Sequence, residues 1–205
     1  MSLMGVDGIW VGEIRVTQLY VEVAGPRFMV YVEVTSVTDL YGFEFFLNYS
    51  TDVLTAASIS SGGWFPLDSM EDLNIINDDL GYIRYSVTMP LGSPSGMTGS
   101  GKLANITFFP DSYGSSVLDL WNTKLRDRYA APISHVIKDG YFNNKIAGDV
   151  DANRKVDGFD LFDVGKAYDT APSQPNWNIE CDFNRDDKVN ATDLSDLSTN
   201  YGTSV

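Results

Sequence analysis

Apolar and polar residues alternate with a period of two through much of residues 1–145, the pattern of strands with one buried face. Phe28–Thr35 places Phe28, Val30, Val32 and Val34 on one face and Met29, Tyr31, Glu33 and Thr35 on the other. Tyr41–Tyr49 places Tyr41, Phe43, Phe45, Leu47 and Tyr49 together. Further strand-like runs occupy Val53–Ser60, Tyr82–Met89, Leu103–Phe109, Ser116–Leu120 and Ser134–Ile137. Turn-forming clusters separate them: Ser61-Gly62-Gly63, Asp78 to Gly81, Pro90 to Gly101, and Asp111 to Gly114. One short helix is expected around Leu67–Leu73. Many short strands without a long helical pattern between them predict a mainly β chain, with an antiparallel sandwich over residues 1–145.

From residue 146 the period changes. Shifted by 33 on itself, the tail aligns DVDANRKVDGFDLFDVGKAYD with DFNRDDKVNATDLSDLSTNYG. Leu161, Val164 and Tyr168 match Leu194, Leu197 and Tyr201 at helical spacing, so each copy ends in a helix with one apolar stripe. Ahead of each helix stands a twelve-residue segment that fits the calcium loop, whose ligands fall at positions 1, 3, 5, 7, 9 and 12. In the first copy these are Asp149, Asp151, Asn153, Lys155 through its carbonyl, Asp157 and Asp160. In the second they are Asp182, Asn184, Asp186, Lys188 through its carbonyl, Asn190 and Asp193. Four aspartates in one turn repel each other unless a cation lies among them. Two calcium ions are therefore expected. Position 6, where the chain bends with φ > 0 and glycine is usual, holds Arg154 and Asp187, at a cost of about 1 kcal/mol each. Val156 and Val189, at position 8, are expected to pair the two loops back to back. No amphipathic helix precedes either loop, so residues 146–205 read as a small α domain of two loop–helix units.

Charge supports the division. Of 205 residues, 28 are acidic and 14 basic, a formal net charge of -14. Residues 149–205 hold 12 acids against 5 bases, so negative charge is concentrated in the tail. That balance excludes nucleic acid as a partner, since phosphate neutralisation needs a basic surface. The single cysteine, Cys181, rules out an intrachain disulfide, and no apolar run is long enough to span a membrane. Met1-Ser2-Leu3 ahead of Met4 reads as an added leader, so a native targeting segment is expected to be missing.

Other motifs have plainer readings. Gly96–Lys102 fits the start of a phosphate loop, but Leu103 stands where Ser or Thr must follow, and the next residues alternate like a strand. A hairpin turn is expected there. His135 has no serine or cysteine partner in view and reads as an ordinary surface or core histidine. The sequons at Asn48 and Asn105 fall inside expected strands. No nucleophile–base pair appears, and the chain is not expected to be an enzyme. Trp10, Trp64 and Trp121 could stack on sugar rings if several lay coplanar outside the sandwich.

The blocks VTDLYGFEFFLNYSTDVLTAASISSGGWF (37–65), GYIRYSVT (81–88) and GMTGSGKLANITFF (96–109) resemble, in order and spacing, the cohesin domains. The resemblance covers residues 10–143. It implies a jelly-roll sandwich that binds dockerin modules through one sheet face without catalysis. The duplicated loop–helix layout of residues 146–203 resembles a type I dockerin. That resemblance implies partner contact through loop positions 10 and 11, Gly158-Phe159 and Ala191-Thr192, and along the helix at Phe162. Phe159 and Phe162 correspond to Thr192 and Ser195 in the second copy, so two-way binding by equivalent faces is not expected.

The expected function is a secreted or cell-surface adaptor. Its partners would be cohesin or dockerin modules of other proteins, or a second copy of this chain. Two alternatives keep the calcium module: residues 1–145 as a polysaccharide-binding module, or as an adhesion domain that the tail caps.

Overall fold

The computed structural model describes residues 11–17 and 27–205. Trp10 and the expected leader lie outside the described residues. The chain divides into two compact units, Met1–Asn143 and Asn144–Val205. This boundary precedes the one read from the sequence because Lys145 belongs to the second unit. Its ammonium, nearly buried, donates to the Val150 carbonyl (3.0 Å) and pairs with Glu180 (2.6 Å).

Among the described residues ten strands build the first unit: β1 (Gly12–Val16), β2 (Phe28–Leu40), β3 (Gly42–Asn48), β4 (Leu54–Ser61), β5 (Met70–Asn77), β6 (Tyr82–Thr88), β7 (Met97–Pro110), β8 (Ser115–Arg126), β9 (His135–Lys138) and β10 (Gly140–Asn143). They form two five-stranded sheets, ordered β4-β7-β2-β1-β9 and β10-β8-β3-β6-β5. Pairing is antiparallel except between β1 and β9, which run parallel, so the sandwich is not purely antiparallel as expected. The predicted faces are the buried ones. Val30, Val32 and Val34 of β2 meet Phe43, Phe45 and Leu47 of β3 in one core that includes Tyr85, Ile106 and Phe108. Phe28 stacks on Phe142 with ring centroids 4.6 Å apart, joining β2 to β10.

Two expectations fail here. Leu67–Leu73 forms no helix; its second half enters β5, paired to β6 with Met70 opposite Thr88 and Ile75 opposite Arg84. That edge strand is largely exposed on both faces, so its sequence lacks the alternation that marks a half-buried strand. Gly96–Lys102 is not a hairpin turn but the start of β7, paired with a bulged stretch of β2. At the bulges Ser36 and Asp39 take positive φ, and their amides donate to the Ser100 and Thr98 hydroxyls (3.2 and 3.0 Å) in place of ladder bonds. Gly101 is bare because the Trp64 indole lies on it; a Cβ there would overlap the ring.

The second unit holds α1 (Gly158–Ala167) and α2 (Ala191–Asn200), with a single 3-10 turn at Ile179–Cys181. Val156, Val164, Cys181, Val189 and Leu197 form its small core. The helical stripe is narrower than expected. Val164 and Leu197 are buried, whereas Leu161, Leu194, Tyr168 and Tyr201 remain substantially exposed. Burial pushes the Cys181 thiol up to about 12, with the Asp163 and Glu180 charges adding to it, so this cysteine stays protonated and inert.

Candidate functional site

Both acidic segments fold as closed loops running into helices. In the first, Asp149 accepts from the amides of Asn153 (3.2 Å) and Arg154 (2.9 Å). Asp160 accepts from Val150 (2.7 Å) and, through its other oxygen, from Asp157 (2.8 Å). Asp157 caps α1 by accepting from the Phe159 amide (2.8 Å), and Asp157 and Asp160, both expected ligand positions, form a capping box. The second loop repeats each bond. Asp182 accepts from Asp186 (3.2 Å) and Asp187 (3.0 Å), and Asp193 from Phe183 (2.8 Å) and Asn190 (2.9 Å). Asn190 caps α2.

Position 6 carries the predicted bend. Arg154 has φ 71 and Asp187 φ 63, and position 4 bends likewise at Ala152 (φ 60) and Arg185 (φ 59). These reversals let the backbone curl around the carboxylates.

The residues fit a calcium ion. Oxygens of Asp149, Asp151 and Asp160 all lie within 4.8 Å of one another. Calcium holds oxygens at 2.3–2.6 Å, so ligands across one ion are about 5 Å apart at most. Asp149 and Asp160 are nearly or fully buried, an arrangement that leaves mutual repulsion unrelieved by water. In the second loop Asp182 and Asp193 are equally buried. Burial raises the Asp182 carboxyl above its usual range, and the Asp193 charge adds to the rise. Among the described residues only the first loop gathers three acids this closely; the second presents Asn184 and Asn190 where the first has Asp151 and Asp157. Lys155 and Lys188 occupy position 7, the carbonyl ligand of such a loop.

Val156 and Val189 do not pair with each other. Val156 bonds with Gly202 and Thr203, after α2, while Val189 bonds with Asp169 and Thr170, after α1. The loops are thus clasped by backbone from the opposite repeat, a register that alignment of the two copies cannot reveal.

Of the expected contact residues, Phe159 is 73% exposed and Phe162 65%. Lys166 stands 4.8 Å from the Phe162 ring centroid and pairs with Asp163 (2.5 Å). Trp177 packs on the core of the second unit. Gly158, Ala191 and Thr192 are exposed at the helix starts, the last two without aromatic company in their own turn.

One feature escaped the sequence reading. The outer face of the second sheet carries a cross-strand row, Ile75–Arg84–Phe46–Trp121, drawn from β5, β6, β3 and β8. Phe46 lies 4.7 Å from Trp121 and 6.1 Å from Tyr82, each pair tilted by 40°. The Arg84 guanidinium lies 5.1 Å from the Phe46 centroid, and the Trp121 ring nitrogen donates to Asn48. In the adjoining row Glu44 is held by Arg84 (2.6 Å) and Lys124 (2.8 Å). Only the alternation within β3 hinted at Phe46 as an outward aromatic. Elsewhere, His135 accepts from or donates to Thr123 (2.7 Å) and bonds the Ile133 carbonyl (2.8 Å), which fixes its ring as a structural link.

No protein-family model matches the sequence, and no curated protein does. Solved structures do. A type I cohesin–dockerin complex from Clostridium thermocellum matches with a TM-score of 0.55 and 14% identity, over 64% of this chain and 96% of that one. The third ScaC cohesin of Acetivibrio cellulolyticus, in complex with the ScaB dockerin, matches at 0.54 and 18%, over 65% and 98%. A non-cellulosomal cohesin from the archaeon Archaeoglobus fulgidus matches at 0.51 and 17%, over 64% and 89%. The chain therefore contains a sandwich with the cohesin fold. Among the described residues no helix is long and apolar enough to cross a membrane.

Proposed function

We propose that this chain is a non-catalytic adaptor that acts outside the cell, joining a cohesin-like receptor to a calcium-dependent dockerin-like plug. The observation that carries the receptor half is the row Ile75–Arg84–Phe46–Trp121. Ile75 and Trp121 are exposed on an open sheet face, where a solvated strand would present polar residues. Aromatic rings flanked by Arg84 and Lys124 suit a protein partner with apolar and acidic groups. The proteins matched above include cohesins held in complexes with dockerins.

The plug half rests on the two loops and on Phe159 and Phe162, exposed at the start of α1. Gly158 leaves room beside them, and Ala191 and Thr192 mark the corresponding, weaker face of the second repeat. Calcium at the millimolar level of extracellular fluid would fill even weak loops of this kind. Both halves could engage modules of other proteins or of a second copy.

A polysaccharide platform is the less supported reading. Sugar stacking needs coplanar rings, and the Phe46 ring is tilted by 40° against both Tyr82 and Trp121.

The test uses the full chain in two double variants, Phe46→Asp/Trp121→Asp and Phe159→Asp/Phe162→Asp. The first should abolish capture of a separate dockerin and spare capture of a separate cohesin; the second should do the reverse. Retention of both partners by both variants, or adsorption of the wild type to insoluble polysaccharide that the first variant loses, would sink the assignment.

A further inference from the structure

β8 meets β3 with one interruption. Asp119, Leu120 and Trp121 stand opposite Asn48, Leu47 and Phe46, and Lys124, Leu125 and Arg126 stand opposite Glu44, Phe43 and Gly42. Phe46 and Glu44 are two residues apart, whereas Trp121 and Lys124 are three apart, so β8 carries one extra residue. Residues three apart point to opposite faces of a regular strand. Here Trp121 and Lys124 both turn outward, while Leu120 and Leu125 are both buried. The chain achieves this by bulging at Asn122, which is exposed and has φ 45. The two leucines require a bulge somewhere between them. They do not decide whether Asn122 or Thr123 is the residue left out.

The chain after β8 supplies that choice. It first runs back antiparallel: the Asp127 amide donates to the Ala131 carbonyl (3.0 Å), Arg126 bridges to Pro132, and the Ile133 amide donates to the Leu125 carbonyl (2.9 Å). β9 then leaves to pair with β1 in the other sheet, and two side chains reach back to β8 in place of backbone. His135 Nε2 lies 2.7 Å from the Thr123 hydroxyl, and Asp139 accepts from the Leu120 amide (2.9 Å). The Ile133 carbonyl can only accept, so His135 carries its proton on Nδ1 (2.8 Å), and Nε2 is left to accept from Thr123. These two bonds stand on either side of Asn122.

We infer that His135 and Asp139 are positioning residues for the partner-binding face, holding the bulge at Asn122 and through it the joint outward aim of Trp121 and Lys124. The inference rests on the receptor reading above and names what aims that face. Trp121 donates to Asn48 (3.0 Å) and Lys124 pairs with Glu44 (2.8 Å), so β8's contribution to the face follows from where the bulge lies. A bulge moved by one residue would turn Asn122 toward His135 in place of Thr123 and shift the backbone beneath Trp121.

The test compares substitutions that remove each bond with ones that keep it, all in the full chain. Thr123→Val keeps the shape but loses the hydroxyl, and Thr123→Ser retains it. Asp139→Ala loses the acceptor, and Asp139→Asn retains it. The partner-free readout is the nuclear magnetic resonance signal of the Trp121 indole N–H, assigned by its loss in Trp121→Phe. It should move in Thr123→Val and Asp139→Ala and return in Thr123→Ser and Asp139→Asn. Capture of a separate dockerin should weaken in the first pair by about two- to tenfold, the range of one net hydrogen bond, and recover in the second. Gly101→Ala strains the other sheet, so it should lower the melting temperature and leave dockerin capture unchanged. An unmoved indole signal in Thr123→Val and Asp139→Ala would overturn the positioning role. So would a moved signal with unchanged capture, or a loss of capture in Gly101→Ala as large as in the other two. Failure of the wild type to capture any dockerin would overturn the receptor reading itself.

Discussion

Asp149 and Asp160, at opposite ends of one loop, hold carboxylate oxygens within 4.8 Å of each other while each is nearly or fully buried. Two like charges in that position suit a cation between them.

Chelation should therefore loosen the second unit and spare the first. Calcium at a hundred times its dissociation constant adds about 2.7 kcal/mol per site to folding, a large share for a module of this size. Helical circular dichroism should fall on adding chelator, while the near-ultraviolet signal of the sandwich persists. Asp160→Ala should mimic this at the first loop, with a further loss of about 1–3 kcal/mol from the amides it leaves unpaired. A thermal profile insensitive to chelator would contradict both.

Arg154 bends with φ 71 where glycine would be unstrained. Arg154→Gly should relieve about 1 kcal/mol of left-handed strain and tighten calcium at the first loop several-fold. Titration at fixed ionic strength would show it. An equal gain from changing Lys155, which carries no positive φ, would point to charge rather than backbone.

Glu44 supplies a pH-dependent element in the sandwich. Burial pushes its carboxyl upward, but hydrogen bonds and charge from Lys124 and Arg84 outweigh this and leave it below the usual glutamate value of 4.5. Because the folded value is the lower one, the stabilisation is complete above 4.5 and is lost as pH falls through the folded value. Both cations are partly exposed, so the loss should be about 1 kcal/mol or less. Glu44→Gln should flatten the acid limb of a stability–pH curve; an unchanged limb would remove Glu44 from the account.

Gly101→Ala should strain the sandwich, because a Cβ there overlaps the Trp64 ring. The indole must shift or β7 must move from β2, at about 1–3 kcal/mol. Denaturant melts followed by tryptophan emission would report both the loss and the altered ring environment.

The legible parts of this protein were those that chemistry writes locally. Period-two runs told which faces of β2 and β3 are buried, because a strand exposes alternate residues whatever it pairs with. The closed shape of the two acidic loops was legible because runs of Asp and Asn write short turns and helix caps locally, and the bends at Arg154 and Asp187 belong to those turns. β5 was hidden because an edge strand exposed on both faces carries no period; only pairing with β6 makes it a strand.

The sequence by itself determined the composition of each face and the inventory of each loop, since both depend on residues within a dozen positions of one another. Tertiary structure alone decided what meets across the chain. Phe46 and Trp121 become one surface only because β3 lies between β6 and β8, and Val156 finds Thr203 only because each repeat closes on the other. Backbone hydrogen bonds made these choices, and backbone groups are the same in every residue.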